Sequence, residues 1–535
     1  MVLKLPSQMR AVIQAVVTRL EGRATYAVVF GLILLIGILA RCWEFGRLPP
    51  GLNIDEASIG IEAYDLYHFG IDRNGISYPI YFISWGSGQN ALYGYALIPF
   101  VAALGLRPLA VRLPMLIAGI LTLPLAHFIG VRIFGRHLAL VSTLFLGISP
   151  WHIILSRWGL ESNVLPFVFT LGFASLLKAI RRPGWLVFAS LVLGLSLYAY
   201  GTAFAAVPIF MLLAFAALTR KGLVGPRELV PAVFAFALVA APIGIMLLVN
   251  ALGLPSIALG PVTIPHSPVQ PRYTATTVFS MTDAPRSIAA NLWIALRLLI
   301  TQSDGIVYNV ADPYGYFYRF TFPLALLGIV LLVMRIRSEQ RIEDILLGAW
   351  IGSSFAIAIF QQMNINRFNL IFIPLLFCTL LSLQWLNARV PGTLLFTVVL
   401  LLIGFVAFTI HYHGDSYRRA IGQRMNTGIL AAIGFARDVS QHPICISGKI
   451  SMPYIYALFS ERTNPADFLA TVVYVDPLQP LRRVRAFGRY RFGSPNCTSA
   501  EPYTYVWRSG ERPPNLGKRY EYRFFDNFVV YFPRP

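Results

Sequence analysis

Apolar runs long enough to cross a lipid bilayer recur along this chain from residue 26 to residue 410. No other feature of the sequence restricts the fold as strongly. A helix rises about 1.5 Å per residue, so roughly 20 apolar residues cover a hydrocarbon core of about 30 Å. Inside that core no water satisfies an open backbone, and helices close their own hydrogen bonds. Charged residues make up 13% of the 535 residues, about half of the roughly 25% that a soluble domain carries. The chain is expected to be an α-helical polytopic membrane protein.

Basic turns orient the runs, because Lys and Arg in short loops stay on the cytoplasmic side. Lys4, Arg10, Arg19 and Arg23 place the first 25 residues inside. The first run, 26–41, is too long for a signal peptide and lacks a small-residue cleavage site, so it reads as a retained anchor. Further spans are expected at 111–131, 138–155, 163–180, 185–200, 203–219, 229–252, 321–334, 345–360, 368–386 and 393–410. The count is about eleven, within a range of about 11–13 for the whole module, 1–410, and every strongly basic short turn then falls inside. The stretch 91–106 is short, holds Pro99 and begins with Tyr93 and Tyr95. It suits an interfacial helix within a first outer loop, 42–110. A segment at 288–300 is apolar enough to dip into the membrane. The tail, 411–535, is polar and rich in Tyr and Arg, with alternating patches at 470–475 and 528–532. It is expected to be a small extracytoplasmic α/β domain, with the whole in the plasma (inner) membrane.

The net charge of +20 would suit nucleic acid, but the basic residues lie between apolar runs and in the tail. That pattern fits membrane lipids and topology signals instead. Of the four cysteines, Cys42 and Cys378 fall in or beside apolar runs. Cys445 and Cys497 lie in the tail, where an oxidising compartment would let them pair; two unpaired thiols are the alternative.

Candidate chemistry sits in the outer turns. Residues 49–57 read Pro-Pro-Gly-Leu-Asn-Ile-Asp-Glu-Ala, and a helical pattern starts at Glu56. Asp55 is expected at the helix N-cap with its carboxylate toward the membrane surface; a cap alone is the simpler role. A second acidic turn, 149–163, brings Glu161 to the same side. Two carboxylates facing one compartment suit a general base and a partner that orients an acceptor or holds a metal. Arg107, Arg112 and Arg367 stand at outer membrane ends, where guanidinium groups either bind phosphate or snorkel to headgroups. Gln89, Asn90, Tyr93, Tyr198 and Tyr200, with Trp85, Gln361, Gln362 and Asn366, supply amide and aromatic groups for sugar hydroxyls. The two tyrosines near 200 also fit an ordinary aromatic belt. There is no Gly-rich phosphate loop, HExxH or paired CxxC, and intramembrane charge is too sparse for a proton-coupled transporter.

These stretches resemble the GT-C membrane glycosyltransferases of the protein O-mannosyltransferase and aminoarabinose-transferase type. The likeness is carried by 52–67 with its Asp-Glu pair, by 88–99 (Gly-Gln-Asn-Ala-Leu-Tyr-Gly-Tyr at its start), and by 107–124 with Val-Arg-Leu-Pro. Phe134-Gly135-Arg136, the turn 149–163 and Asn366-Arg367-Phe368 complete it. The resemblance implies transfer of a sugar from a polyprenyl-monophosphate lipid at the extracytoplasmic face. Asp55, with Glu56 beside it, would be the catalytic carboxylate, Glu161 the second acidic turn, and Arg112 the loop arginine. A divalent cation, if used, would lie between Asp55 and Glu161. Many members carry Lys-Pro-Pro-Leu where this chain has Gln89-Asn90-Ala91-Leu92, so either Arg112, Arg367 or Arg107 takes the donor phosphate or the donor differs. The acceptor is unassigned among protein, lipid and polysaccharide. A transporter or lipid flippase, a polymerase or ligase using lipid-pyrophosphate donors, and a non-catalytic assembly subunit are the alternatives.

Overall fold

The computed structural model describes residues 22–271, 277–278, 283–497, 502–514, 516 and 520–534. Lys4, Arg10 and Arg19, on which the inside placement of the N-terminus partly rests, lie outside the described residues. Among the described residues, nine helices are long and apolar enough to cross a membrane. Two shorter apolar helices, Arg136–Gly147 and Trp185–Tyr198, overlap two more of the eleven expected spans.

The chain begins with α1 (Arg23–Cys42) and then builds the first loop from α2 (Ile54–Phe69), β1 (Tyr81–Phe82), β2 (Gln89–Asn90) and α3 (Leu92–Leu104). It re-enters the bundle as α4 (Pro108–Phe134), α5 (Arg136–Gly147), α6 (Pro150–Leu155), α7 (Glu161–Ala179), α8 (Trp185–Leu195), α9 (Ala203–Arg220) and α10 (Pro226–Ala251). A hairpin of β3 (Ile257–Leu259) and β4 (Val262–Ile264) precedes α11 (Ala284–Thr301). Then follow α12 (Phe322–Ser338), α13 (Ile342–Phe360), α14 (Ile365–Phe368), α15 (Phe372–Arg389) and α16 (Thr393–Tyr412). The apolar stretches of α7 and 365–389 are 83% buried, against 17% for α1 and α16. The first two are the centre of the bundle, and the others face lipid.

Side chains settle which turns share an end. The Tyr26 hydroxyl donates to the Arg136 carbonyl at 2.9 Å, and the Arg136 guanidinium lies 4.2 Å from the Tyr26 ring centre. Arg341 donates to the carbonyls of Arg132 and Ile133 at 3.5 and 3.4 Å. The start of α1, the α4–α5 turn and the α12–α13 turn therefore occupy one basic end. This arrangement requires that α3 not span. At 13 residues it reaches about 20 Å, and it packs on α2 at the opposite end.

Two expectations need correction. The run 138–155 is not one helix, because Pro150 has no N–H to continue α5, and the Ser149 hydroxyl instead caps α6 by accepting from the His152 N–H at 3.3 Å. Asp55 is not the N-cap of α2. Asn53 is: its side chain accepts from the Asp55 N–H at 2.8 Å, while the Asn53 N–H donates to Glu56 at 3.0 Å. The segment expected at 288–300 forms the longer α11, with Trp293, Leu296 and Ile300 exposed and Ala295, Leu298 and Leu299 buried. One apolar stripe of this kind suits a membrane surface.

After α16 come α17 (Asp415–Arg424), α18 (Ile429–Val439), β5 (Ile444–Ile446), α19 (Tyr454–Glu461) and α20 (Pro465–Thr471). The strands β6 (Val473–Tyr474), β7 (Val484–Phe487), β8 (Tyr490–Phe492), β9 (Thr504–Arg508), β10 (Tyr520–Phe525) and β11 (Phe528–Pro533) complete a seven-stranded sheet in the order β10-β11-β9-β5-β8-β7-β6. Within this sheet β5 is paired in parallel with β8 and β9, and the other described pairings are antiparallel. Cys445 and Cys497 form a disulfide with Cα atoms 6.1 Å apart and a sequence separation of 52. Closing a loop of that length restricts the unfolded chain by about 4 kcal/mol in the entropic account. The sheet domain is tied to the first loop by Leu52 N–H to Met425 O at 2.7 Å, Tyr456 hydroxyl to Leu52 O at 3.1 Å and an Arg418–Glu44 ion pair.

Candidate active site

The first loop is held by buried arginines. Arg112 is fully buried and grips Glu56 in a fork, with Nε at 2.7 Å and Nη2 at 2.8 Å from the two carboxylate oxygens. Its remaining donors go to Pro49 O at 2.7 Å and Gly51 O at 2.8 Å. Glu56 also accepts from the Gly159 N–H at 2.9 Å. This one carboxylate thus ties the start of α2 to the turn that leads into Glu161. Arg157 caps the end of α1, donating to Arg41 O at 3.0 Å and Trp43 O at 2.7 Å. Gly51 is required where it stands: its φ is +76°, and a Cβ would lie 2.3 Å from Met425 O.

A cleft of about 410 Å³ opens at the same end of the bundle. Its polar wall is Asn90, Glu161, Tyr200, Thr277, Gln361 and Arg367, and its apolar wall includes Phe204, Leu247, Ala251, Ile357 and Phe360. Glu161 sits in the first turn of α7, where the helix end favours an anion. It accepts from the Asn90 N–H at 2.5 Å, and the Asn90 side chain donates to Leu197 O at 3.1 Å. Gly88 brings the β1–β2 hairpin close, since a Cβ there would sit 2.0 Å from the Tyr81 ring. Arg367 is half-buried in α14, with its N–H on the Asn364 side chain at 2.9 Å and Nη1 on Gln362 O at 2.9 Å.

Of the residues singled out from sequence, the cleft gathers Asn90, Glu161, Tyr200, Gln361 and Arg367. Arg112 lies inside the loop anchor with four hydrogen bonds made there, and Arg107 is exposed at the start of α4. Gln89 points to the face opposite Asn90, as strand neighbours must, and accepts from Ser84 at 3.1 Å. Tyr93 is buried on Val111 O at 2.6 Å, and Tyr198 donates to Val239 O at 2.8 Å. Asp55 is half-buried beside Glu56 and is not among the residues lining the cleft. Tyr81, Thr202, Phe204 and Thr277 line the cleft without having been singled out. Only the Gly88-Gln89-Asn90 sequence carried a signal that could have marked the hairpin. Among the described residues no group of three metal-ligating side chains is present. Asp55 and Glu161 alone do not make a full donor set for a divalent cation.

Beneath α2 lies a second polar cluster. Arg73 pairs with Glu62 at 3.2 Å and donates to Ser58 and Ser84 at 2.9 and 2.8 Å. Asp72 accepts from the Asn74 and Ile76 N–H groups, both at 2.9 Å, whereas among the described residues neither Asp65 carboxyl oxygen has a hydrogen-bond partner. Burial, then the charge of Glu62, pushes Asp72 up to about 8 and Asp65 well above the carboxylate range. The folded chain thus keeps protons that the unfolded chain releases near pH 4. Stability from these groups is full below about pH 4 and falls as pH rises toward about 8. Asp65→Asn, which removes the charge at constant shape, is expected to raise the melting temperature at pH 8 and flatten its dependence between pH 5 and 8. Thermal unfolding in detergent checks this, and a lower melting temperature at pH 8 would mean Asp65 has a partner worth keeping charged.

No family model matches the chain, and no curated protein matches it. Among solved structures it is similar to ArnT from Cupriavidus metallidurans bound to undecaprenyl phosphate, with TM-score 0.59 and 14% identity over 95% of this chain and 98% of that one. The apo state of the same protein gives a TM-score of 0.52 at 13% identity. The Archaeoglobus fulgidus oligosaccharyltransferase, solved with Zn and sulfate, gives 0.53 at 14% identity over 81% of this chain. The present chain spans 61% of that longer protein. Identities this low establish fold alone: the chain shares the fold of ArnT along nearly its whole length and, over 81% of its residues, that of the oligosaccharyltransferase.

Proposed function

We propose that this chain is a glycosyltransferase that moves a sugar from a polyprenyl-monophosphate lipid to an acceptor hydroxyl at the extracytoplasmic face of the plasma (inner) membrane. The observation that carries the proposal is the cleft, where a guanidinium, a carboxylate and amides stand beside an apolar slot at the end of a helical bundle. An amphiphile with an anionic head and a prenyl chain matches that lining. The ArnT structure with undecaprenyl phosphate supports the match. The orientation rests on the basic turns, which belong inside; the cleft and sheet domain are then outside.

In this reading Arg367 meets the donor phosphate, and Asn90, Glu161, Tyr200 and Gln361 meet sugar or acceptor hydroxyls. The acceptor oxygen bonds to the anomeric carbon as the bond from that carbon to the phosphate oxygen breaks, with inversion. Asp55 takes the hydroxyl proton as general base, and the leaving phosphate keeps the electron pair beside Arg367. Phosphate leaves without protonation, so one carboxylate suffices where glycoside hydrolysis uses two. Glu56, the neighbour of Asp55, accepts from the Gly159 N–H, two residues before Glu161, and so ties the two acidic turns together.

The test is purified full-length protein in lipid, given polyprenyl-monophosphate and polyprenyl-pyrophosphate sugars separately. Product from the monophosphates alone is expected. Product from pyrophosphates alone would move the chain to the polymerase or ligase reading, and label crossing the membrane without product would make it a transporter. Arg367→Ala is expected to raise the donor KM by roughly 10–100-fold, the worth of charge-assisted hydrogen bonds of about 1.5–3 kcal/mol. Acceptor KM should be unchanged; an unchanged donor KM would remove Arg367 from the site.

A further inference from the structure

The basic end of the bundle, remote from the candidate active site, carries a second groove of about 660 Å³. It lies between α12, α15 and the 132–135 turn. Arg132, Arg335, Arg341 and Arg389 line it together with Trp385 and Glu339. Three of the nearby carboxylates are already used. Glu343 is 3.7 Å from Arg132, and Asp344 and Glu339 are 3.1 and 3.8 Å from Arg335. Among the described residues, Arg341 and Arg389 have no carboxylate in ion-pair range. Arg341 donates to the carbonyls of Arg132 and Ile133, and its charge acts on Asp344 from beyond ion-pair range. Arg389 donates to Trp385 O at 3.2 Å and lies 3.6 Å from the Trp385 ring centre.

The floor of the groove is apolar, with Leu331, Met334 and Leu381. Met334 continues outward into Val330 and Leu326, one helical turn apart each, and these three are 58%, 56% and 45% exposed. The groove is therefore a basic mouth set at the end of a lipid-facing stripe on a membrane helix. A tryptophan at the rim is the side chain expected at headgroup depth.

We propose that this groove binds an anionic phospholipid of the adjoining leaflet. Its phosphate lies between Arg341 and Arg389, and an acyl chain follows Met334, Val330 and Leu326. Guanidinium suits phosphate through paired N–H donors, and the unpaired charge of two arginines selects an anionic lipid over a zwitterionic one. A free anion would match the arginines but gain nothing from the stripe.

The experiment is thermal unfolding and native mass spectrometry of the full-length protein in a mild non-ionic detergent. Phosphatidylglycerol, phosphatidylcholine and inorganic phosphate are titrated separately. Phosphatidylglycerol is expected to raise the melting temperature in a concentration-dependent way, as any ligand of the folded state does, and the other two are not. Arg389→Gln should weaken phosphatidylglycerol binding by about tenfold, the loss of one charge-assisted contact, and Arg341→Gln/Arg389→Gln by more. Arg389 is exposed and capped only by its own helix, so the single variant keeps the test open should the double variant misfold. An equal shift with phosphatidylcholine, an equal shift with inorganic phosphate, or undiminished binding by Arg389→Gln would each overturn the proposal.

Discussion

Asp55→Asn is expected to lower sugar transfer by roughly 10²–10⁴-fold, the usual contribution of a general base. The melting temperature should stay close to that of the parent protein. The two parts of this expectation have separate physical causes. Asn matches Asp in shape but takes up no proton from an attacking hydroxyl. The start of α2 does not depend on the Asp55 carboxylate for its cap, because Asn53 and Glu56 satisfy the first-turn donors. The donor phosphate is assigned to Arg367, so donor KM should change little. Initial rates at saturating donor and acceptor, read beside thermal unfolding, check all three points. Turnover within a few-fold of the parent would end the assignment of Asp55, and Glu161, inside the cleft, would become the first carboxylate to test. An Asn53→Ala variant is the control: it removes the cap at a cost of about 1 kcal/mol and leaves the proposed base in place.

The helical bundle was legible because the bilayer imposes a length and a composition on each span that survive in a single sequence. The interfacial placement of 91–106 followed from keeping the 132–136 turn inside, and the contacts of Tyr26 and Arg341 set that turn at the basic end. Local backbone chemistry was less visible. Pro150 breaks 138–155, and Asn53 displaces Asp55 from the cap. Long-range polar contacts were not legible at all. An arginine at an outer helix end needs an anion, which is sound, but for Arg112 the anion is Glu56, 56 residues away in sequence. Neither periodicity nor spacing encodes that distance. Gln89 and Asn90 look equivalent as neighbouring amides until the two-residue strand sends one to the cleft and the other to the Arg73 cluster. The pairing of Cys445 with Cys497 was accessible because compartment and cysteine count leave few partners.

Arg112→Met is expected to destabilise the folded protein by about 3–5 kcal/mol, the penalty for leaving one partner of a buried ion pair without the other. Two effects add here. Glu56 stays buried with only the Asn53 and Gly159 N–H groups, and the carbonyls of Pro49 and Gly51 lose their donor. An orphaned neutral carbonyl costs about 1–3 kcal/mol, so the charge is the larger part but not the whole. The double variant Glu56→Gln/Arg112→Met should therefore recover part of the loss and not all of it. Unfolding curves in detergent, with limited proteolysis of the first loop, measure both. Transfer activity should fall together with stability, because the Gly159 tie that sets the Glu161 turn loosens with Glu56. Arg367→Ala should show the opposite pattern, with donor binding lost and fold kept. If Arg112→Met instead keeps its melting temperature and loses only donor affinity, the guanidinium leaves the Glu56 fork to meet the donor phosphate. The anchor described here would then be a resting arrangement.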